Sequence, residues 1–144
     1  MFRRILVPVD GTVHSEYAVP YAIDLATALD AEVILCCVIS APAAANASND
    51  ARNVSRYVSG IAQRFRDADI VTKTQVRRGD PAMEIRRTAV DWDAGVIVMA
   101  TRGRRRLEKL MLGSVAEAVV RDSRLPVLLV STRRASKKQI ERAA

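Results

Sequence analysis

Apolar runs that do not alternate are the strongest constraint on this chain. Ile5 to Val9, Val33 to Ile39, Val96 to Ala100 and Val127 to Val130 are nearly continuous in apolar residues. A strand with one wet face alternates, whereas a strand buried on both faces does not. Such runs mark a parallel sheet covered by helices on both sides. Between them lie segments with helical spacing. Ser15 to Leu29 carries Ala18, Ala22, Leu25, Ala26 and Leu29 on one stripe. It predicts a helix with Ser15 as N-cap and an irregular start near Pro20. Ala43 to Asn53, rich in Ala, Asn and Ser, reads as a surface loop. Asn53 to Phe65 follows as a helix buried through Val54, Val58, Ile61 and Phe65. Ile70 to Arg77 alternates and predicts a strand with one wetter face. Gly79-Asp80-Pro81 opens a helix to about Asp91, with Pro81 as its first residue. Gly113-Ser114 opens the last helix, through about Asp122, before a fifth strand from Pro126 to Val130. The order β-α-β-α-β-α-β-α-β gives an α/β fold with a five-stranded parallel sheet and helices on both faces.

At 144 residues the chain fits one domain, 1–132, followed by a basic tail, 133–144. With 49% apolar and 27% charged residues it can bury a core without disulfides or metals. The net charge of +7 is concentrated: Arg102 to Lys109 carries +4, Arg133 to Ala144 carries +4, and the remainder is −1. With only 4% aromatic residues, this is not the broad basic and aromatic face of a nucleic-acid binder. It fits one local anion site plus a tail. The longest clean apolar run has seven residues, too short to span a membrane, and the start is too short for a secretory signal core. A cytoplasmic protein is expected. Cys36 and Cys37 are adjacent in a strand and so belong to opposite faces, which reads as two buried thiols and not a redox pair.

In parallel sheets ligands bind beyond the carboxyl ends of the strands, where the strand order reverses. Asp10 stands at the first such end and can accept hydrogen bonds from a ligand. Ser114 and Glu117 have capping-box spacing, with Ser114 as N-cap, so the helix start at Gly113 offers N–H groups to an anion. Arg102, Arg104, Arg105, Arg106 and Lys109 lie beside it. His14, the only histidine, reads as an exposed residue where the first helix starts, and Trp92 as packing. Walker, GxGxxG, GxSxG and HExxH motifs are all absent.

The chain resembles the universal stress protein family from Ile5 to Val130. The resemblance rests on Ile5-Leu6-Val7-Pro8-Val9-Asp10-Gly11-Thr12, on Gly79-Asp80-Pro81, and on Ala100-Thr101-Arg102-Gly103 followed, after nine residues, by Gly113-Ser114-Val115-Ala116-Glu117. The family's nucleotide-binding branch carries G-x2-G-x9-G-[S/T] there. Gly103, Gly113 and Ser114 match it, and Ala100 replaces the first Gly. The resemblance implies a Rossmann-like fold of the adenine nucleotide alpha hydrolase type. It implies ATP, with Mg²⁺ or Mn²⁺ held mainly by the phosphates, and at most slow hydrolysis. Pro8, Asp10 and Val38 would line the adenine and ribose side. Met99, Ala100 and Gly103 would border the ribose and phosphates. Gly113, Ser114 and Val115 would hold the phosphates. A homodimer through the last strand is also implied. The alternative, raised by Ala100, is a member that binds no nucleotide and acts through protein contacts.

Overall fold

The computed structural model describes residues 1–40, 47–101, 104–106, 109–111 and 113–132. Five parallel strands form the central sheet: β1 (Arg4–Val9), β2 (Glu32–Ile39), β3 (Thr72–Arg78), β4 (Val96–Thr101) and the last strand, β7 (Val127–Ser131). Their order is β3-β2-β1-β4-β7. Helices α1 (Val13–Glu16), α2 (Ala18–Leu29) and α3 (Ala47–Asp67) precede β3, and α4 (Pro81–Asp91) and α5 (Ser114–Asp122) follow it. Strand alternation divides the core in two. Ile5, Val7 and Val9 pack with Ala18, Val58 and Phe65 on one face. Leu6 and Ile97 pack with Ile85, Ala89 and Val119 on the other. Cys37 falls in the first cluster and Cys36 in the second, as adjacent strand residues must. Both are buried free thiols. Among the described residues no helix is long and apolar enough to cross a membrane.

The topology creates a crevice. The chain builds outward from β1 through β2 to β3, then crosses to β4 on the other side of β1. The carboxyl ends of β1 and β4 therefore face one reversal point. Pro8 widens it. The Arg3 carbonyl accepts from Glu32 on the β2 side, and the Arg4 carbonyl accepts from Gly95, just before β4. Even-numbered residues of β1 thus address β4, and Pro8 is the one with no N–H to give. The β1–β2 register runs on to Val9↔Cys37, while the β1–β4 register ends at Leu6↔Ile97.

Several local expectations are corrected. The first helix is not continuous from Ser15. Thr12 is the N-cap of α1, its hydroxyl accepting from the Ser15 N–H at 3.3 Å. The Ser15 hydroxyl instead donates to the Thr12 carbonyl at 2.9 Å and accepts from the Asp10 N–H at 3.1 Å. Pro20 has no N–H for the Glu16 carbonyl, and α1 ends at Glu16. The surface loop read over Ala43 to Asn53 is helical from Ala47, while residues 41–46 lie outside the described residues. The apolar stripe starts only at Val54 because Arg52 and Asn53 are exposed and need no apolar contact. The third strand starts at Thr72, not Ile70. Asp69 adopts φ 60°, and the Ile70 N–H is still bonded to the Phe65 carbonyl at 3.0 Å. Two short antiparallel strands that the sequence pattern did not predict, β5 (Arg104–Arg106) and β6 (Lys109–Met111), lie between β4 and α5.

Candidate functional site

A cleft of about 720 Å³ lies over the carboxyl ends of β1, β2 and β4, within the usual range for a small-molecule site. Of the residues singled out in the sequence, it gathers Pro8, Asp10, Val38, Met99, Ala100, Gly113, Ser114 and Val115. Gly103 lies outside the described residues. Asn53 and Val54 of α3, and Pro81 and Ile85 of α4, also line the cleft. Sequence reasoning missed them because only the fold brings them beside β1. His14 is exposed and is not among the lining residues, and Trp92 packs partly buried against the core.

The helix start differs from the capping-box expectation. Gly113, not Ser114, is the N-cap of α5, and no side chain caps the helix. Ser114 is the first helical residue. The reason lies one strand away: the Gly113 N–H donates to the Thr101 hydroxyl at 3.2 Å, which fixes the chain one residue earlier. Thr101 is buried, and its carbonyl accepts from the Thr132 N–H at 3.2 Å. The first-turn amides of α5 are left for solvent or a ligand. Gly113 has φ −60°, which any residue adopts, and an added Cβ there would meet nothing within 4 Å. Its glycine matters for approach to the backbone, not for conformation. Ala100 sits in β4, paired with Val130, and is not among the positive-φ residues. Alanine is unstrained there.

Asp10 is exposed just past β1. Its Oδ1 accepts from the Thr12 N–H at 2.9 Å and from the Thr12 hydroxyl at 2.6 Å, which fixes the carboxylate at the rim. Among the described lining residues Asp10 is the sole charged side chain. No group of three or more His, Cys, Asp or Glu comes together among the described residues. Asp10 is the one carboxylate among the described residues that line the cleft.

Burial dominates the titrating groups around the cleft. It pushes the Cys37 thiol up to about 11, with Cys36 and Asp10 adding to the effect. The Tyr57 hydroxyl, buried without a hydrogen-bond partner, is pushed up to about 12 by burial, with Ser15 opposing and Glu16 and Asp10 adding. Both groups hold their proton more tightly folded than unfolded, so the unfolded chain sheds protons first as pH rises. The Cys37 share of stability is full below its ordinary value of 9.0 and lost above about 11. The Tyr57 share is lost between 10.0 and about 12. Stability is expected to stay level to pH 9 as far as these groups are concerned, then fall as pH rises through their folded values. Urea midpoints measured from pH 8 to 11 test this, and a rise over that range contradicts it.

The family model described as the universal stress protein family matches residues 1–131. The chain belongs to the universal stress protein family. Universal stress protein MJ0531 of Methanocaldococcus jannaschii is 31% identical over 90% of this chain and 82% of its own length. The solved structure of MJ0577, from the same organism, has a TM-score of 0.78 and 28% identity, covering 94% of this chain and 99% of that one. A more distant fold relative, the universal stress protein of Archaeoglobus fulgidus in complex with dAMP, has a TM-score of 0.69 and 21% identity, covering 90% and 97%. The universal stress protein described here thus has the family's Rossmann-like α/β fold, with a cleft at its topological switch point.

Proposed function

We propose that this universal stress protein binds ATP in the cleft over β1 and β4 and acts as a nucleotide-responsive stress or signalling protein. The observation that carries the reading is the α5 start. Gly113 is tied to Thr101, no side chain caps the helix, and the residue bears no side chain that would keep a phosphate from the backbone. A helix start of this kind takes an anion through its amides and its partial positive charge. The apolar side of the same cleft, with Pro8, Val38 and Met99, offers a surface for the base. Asp10 reaches for the ribose hydroxyls, Ala100 borders the ribose, and Ser114 and Val115 meet the phosphates. Gly103 is assigned to this site on the sequence motif alone. A Mg²⁺ or Mn²⁺ ion would arrive on the phosphates and offset their charge. The dAMP complex of the Archaeoglobus fulgidus relative supports a nucleotide as the ligand. The reading includes a homodimer through β7, supported by the position of that strand at the sheet edge and by Leu128, 43% exposed on it.

Thermal unfolding tests the reading. A ligand present at about 100 times its Kd stabilises the fold by about 2.7 kcal/mol. For a domain of this size that raises Tm by roughly 5–10 °C. We expect such a rise with 1 mM ATP and Mg²⁺. Ala100→Gly should change ATP affinity by less than about threefold, because Ala100 relieves no strain on becoming glycine. No shift at 1 mM ATP would favour the family branch that binds no nucleotide. Restoration of binding only in Ala100→Gly would show that the methyl group blocks the ribose.

A further inference from the structure

Among the described residues, the Tyr57 hydroxyl is the one buried side-chain polar atom with no hydrogen-bond partner. The Tyr57 ring packs against the core cluster that holds Val58, as Val54 does. Asn53 and Val54, one turn earlier on α3, line the cleft. A phenol has one proton to donate, and burying it unused costs free energy. Phenylalanine would fill the same place without that cost.

The hydroxyl faces the start of α1. Besides burial, the groups that act on its titration are Ser15, Glu16 and Asp10. Helices α3 and α1 also meet two turns further on, where Arg64 pairs with Glu16 at 3.6 Å. Ser15 has room for one more bond. Its proton goes to the Thr12 carbonyl at 2.9 Å, and one lone pair takes the Asp10 N–H at 3.1 Å. A hydroxyl oxygen can accept twice, so the second lone pair suits a donor such as the Tyr57 hydroxyl. Ser15 and Asp10 both line the cleft. A bond from Tyr57 to Ser15 therefore joins the α3 wall of the cleft to the corner that holds Asp10.

We propose that Tyr57 is a positioning residue: when a ligand binds, its hydroxyl donates to the Ser15 Oγ and fastens the α3 wall beside that ligand. The inference rests on the nucleotide reading of the cleft and adds how the site closes. A partner gained on binding recovers the cost of leaving the hydroxyl unpaired, and that recovery adds to affinity.

The test compares wild-type protein with Tyr57→Phe, which removes the hydroxyl and keeps the ring. Two quantities are read on each: ATP affinity by calorimetry with Mg²⁺, and the urea midpoint without nucleotide. Tyr57→Phe is expected to weaken ATP binding about tenfold, the equivalent of one buried hydrogen bond. Its urea midpoint should be unchanged or higher, because the hydroxyl it removes has no partner in the free protein. A residue with a merely structural role would lose both together or neither. In a Ser15→Ala background the same substitution should cost less than about twofold in affinity, since the acceptor is gone. Ring signals of ¹³C-labelled tyrosine give a direct readout. The chain has three tyrosines, and the Tyr57 signal, identified by its loss in Tyr57→Phe, should move when ATP is added to the wild type. Affinity of Tyr57→Phe within about twofold of wild type, a lowered urea midpoint beside the loss, or an unmoved Tyr57 signal would overturn the role of Tyr57 and leave the nucleotide reading intact. If wild-type protein binds no ATP, the cleft reading itself fails, and this inference with it.

Discussion

Gly113→Val should weaken ATP binding by at least about 100-fold while leaving the protein folded. The binding loss follows from the geometry at the start of α5. The amides there are the donors offered to phosphate, and a branched side chain at 113 occupies the open space through which an oxygen must approach. Losing one or two hydrogen bonds to a charged group costs about 3 kcal/mol or more, which is at least about 100-fold. The fold should tolerate the change because φ is −60° and an added Cβ meets nothing within 4 Å. Valine is a poorer N-cap than glycine, so a stability loss of about 1 kcal/mol is expected. Calorimetry with ATP and urea unfolding of the same sample separate the two effects. Binding within threefold of wild type would remove the α5 start from the site.

The second large effect concerns stability. Phe65→Ala should cost about 3–5 kcal/mol. Phe65 is fully buried and is named first among the largest such side chains, in the cluster that joins α3 to the sheet through Val58, Ile61 and Val33. Its backbone carbonyl also accepts from Ala68 at 3.1 Å and Ile70 at 3.0 Å, where α3 turns into β3. Alanine keeps those backbone bonds, so the loss measures the side chain and the cavity it leaves. A domain of this kind has only about 5–15 kcal/mol in all, so the variant should unfold at a much lower urea concentration. ATP affinity of the folded fraction should be little changed, since Phe65 is not among the lining residues. A loss below about 1 kcal/mol would mean that α3 is not seated on the sheet through this residue.

The strands were legible because burial on both faces leaves a mark that periodicity detects. Val33 to Ile39 and Val96 to Ala100 could hardly be anything else, and the order of elements then leaves one reversal point. Two kinds of detail were not legible. The first is cap register. Ser114 and Glu117 have the spacing of a capping box, yet the Gly113 N–H is claimed by Thr101, twelve residues earlier. Such a tertiary bond leaves no local trace. Thr12 likewise displaced Ser15 as a cap. The second is structure without an apolar pattern. The Arg104–Arg106 and Lys109–Met111 strands carry mostly charge, and the first turns of α3 carry no apolar stripe, so neither gave a periodic signal. In the site, Asp10 and Gly113 could be read from their places at a strand end and a helix start. Asn53, Val54 and Ile85 could not, because they reach the cleft only through the crossovers on opposite faces of the sheet.

Pro8 links these levels. One missing N–H in β1, on the side that faces β4, accompanies the end of their shared register at Leu6↔Ile97. The crevice that follows is where the uncapped helix start, the carboxylate of Asp10 and the apolar wall meet.

The most direct measurement is calorimetric titration of nucleotide-free, full-length protein with ATP and Mg²⁺. The account predicts one ATP bound per chain with a Kd in the micromolar range, on the order of 8 kcal/mol of binding free energy. No detectable binding at millimolar ATP would contradict it, and the cleft would then have to be explained without a nucleotide.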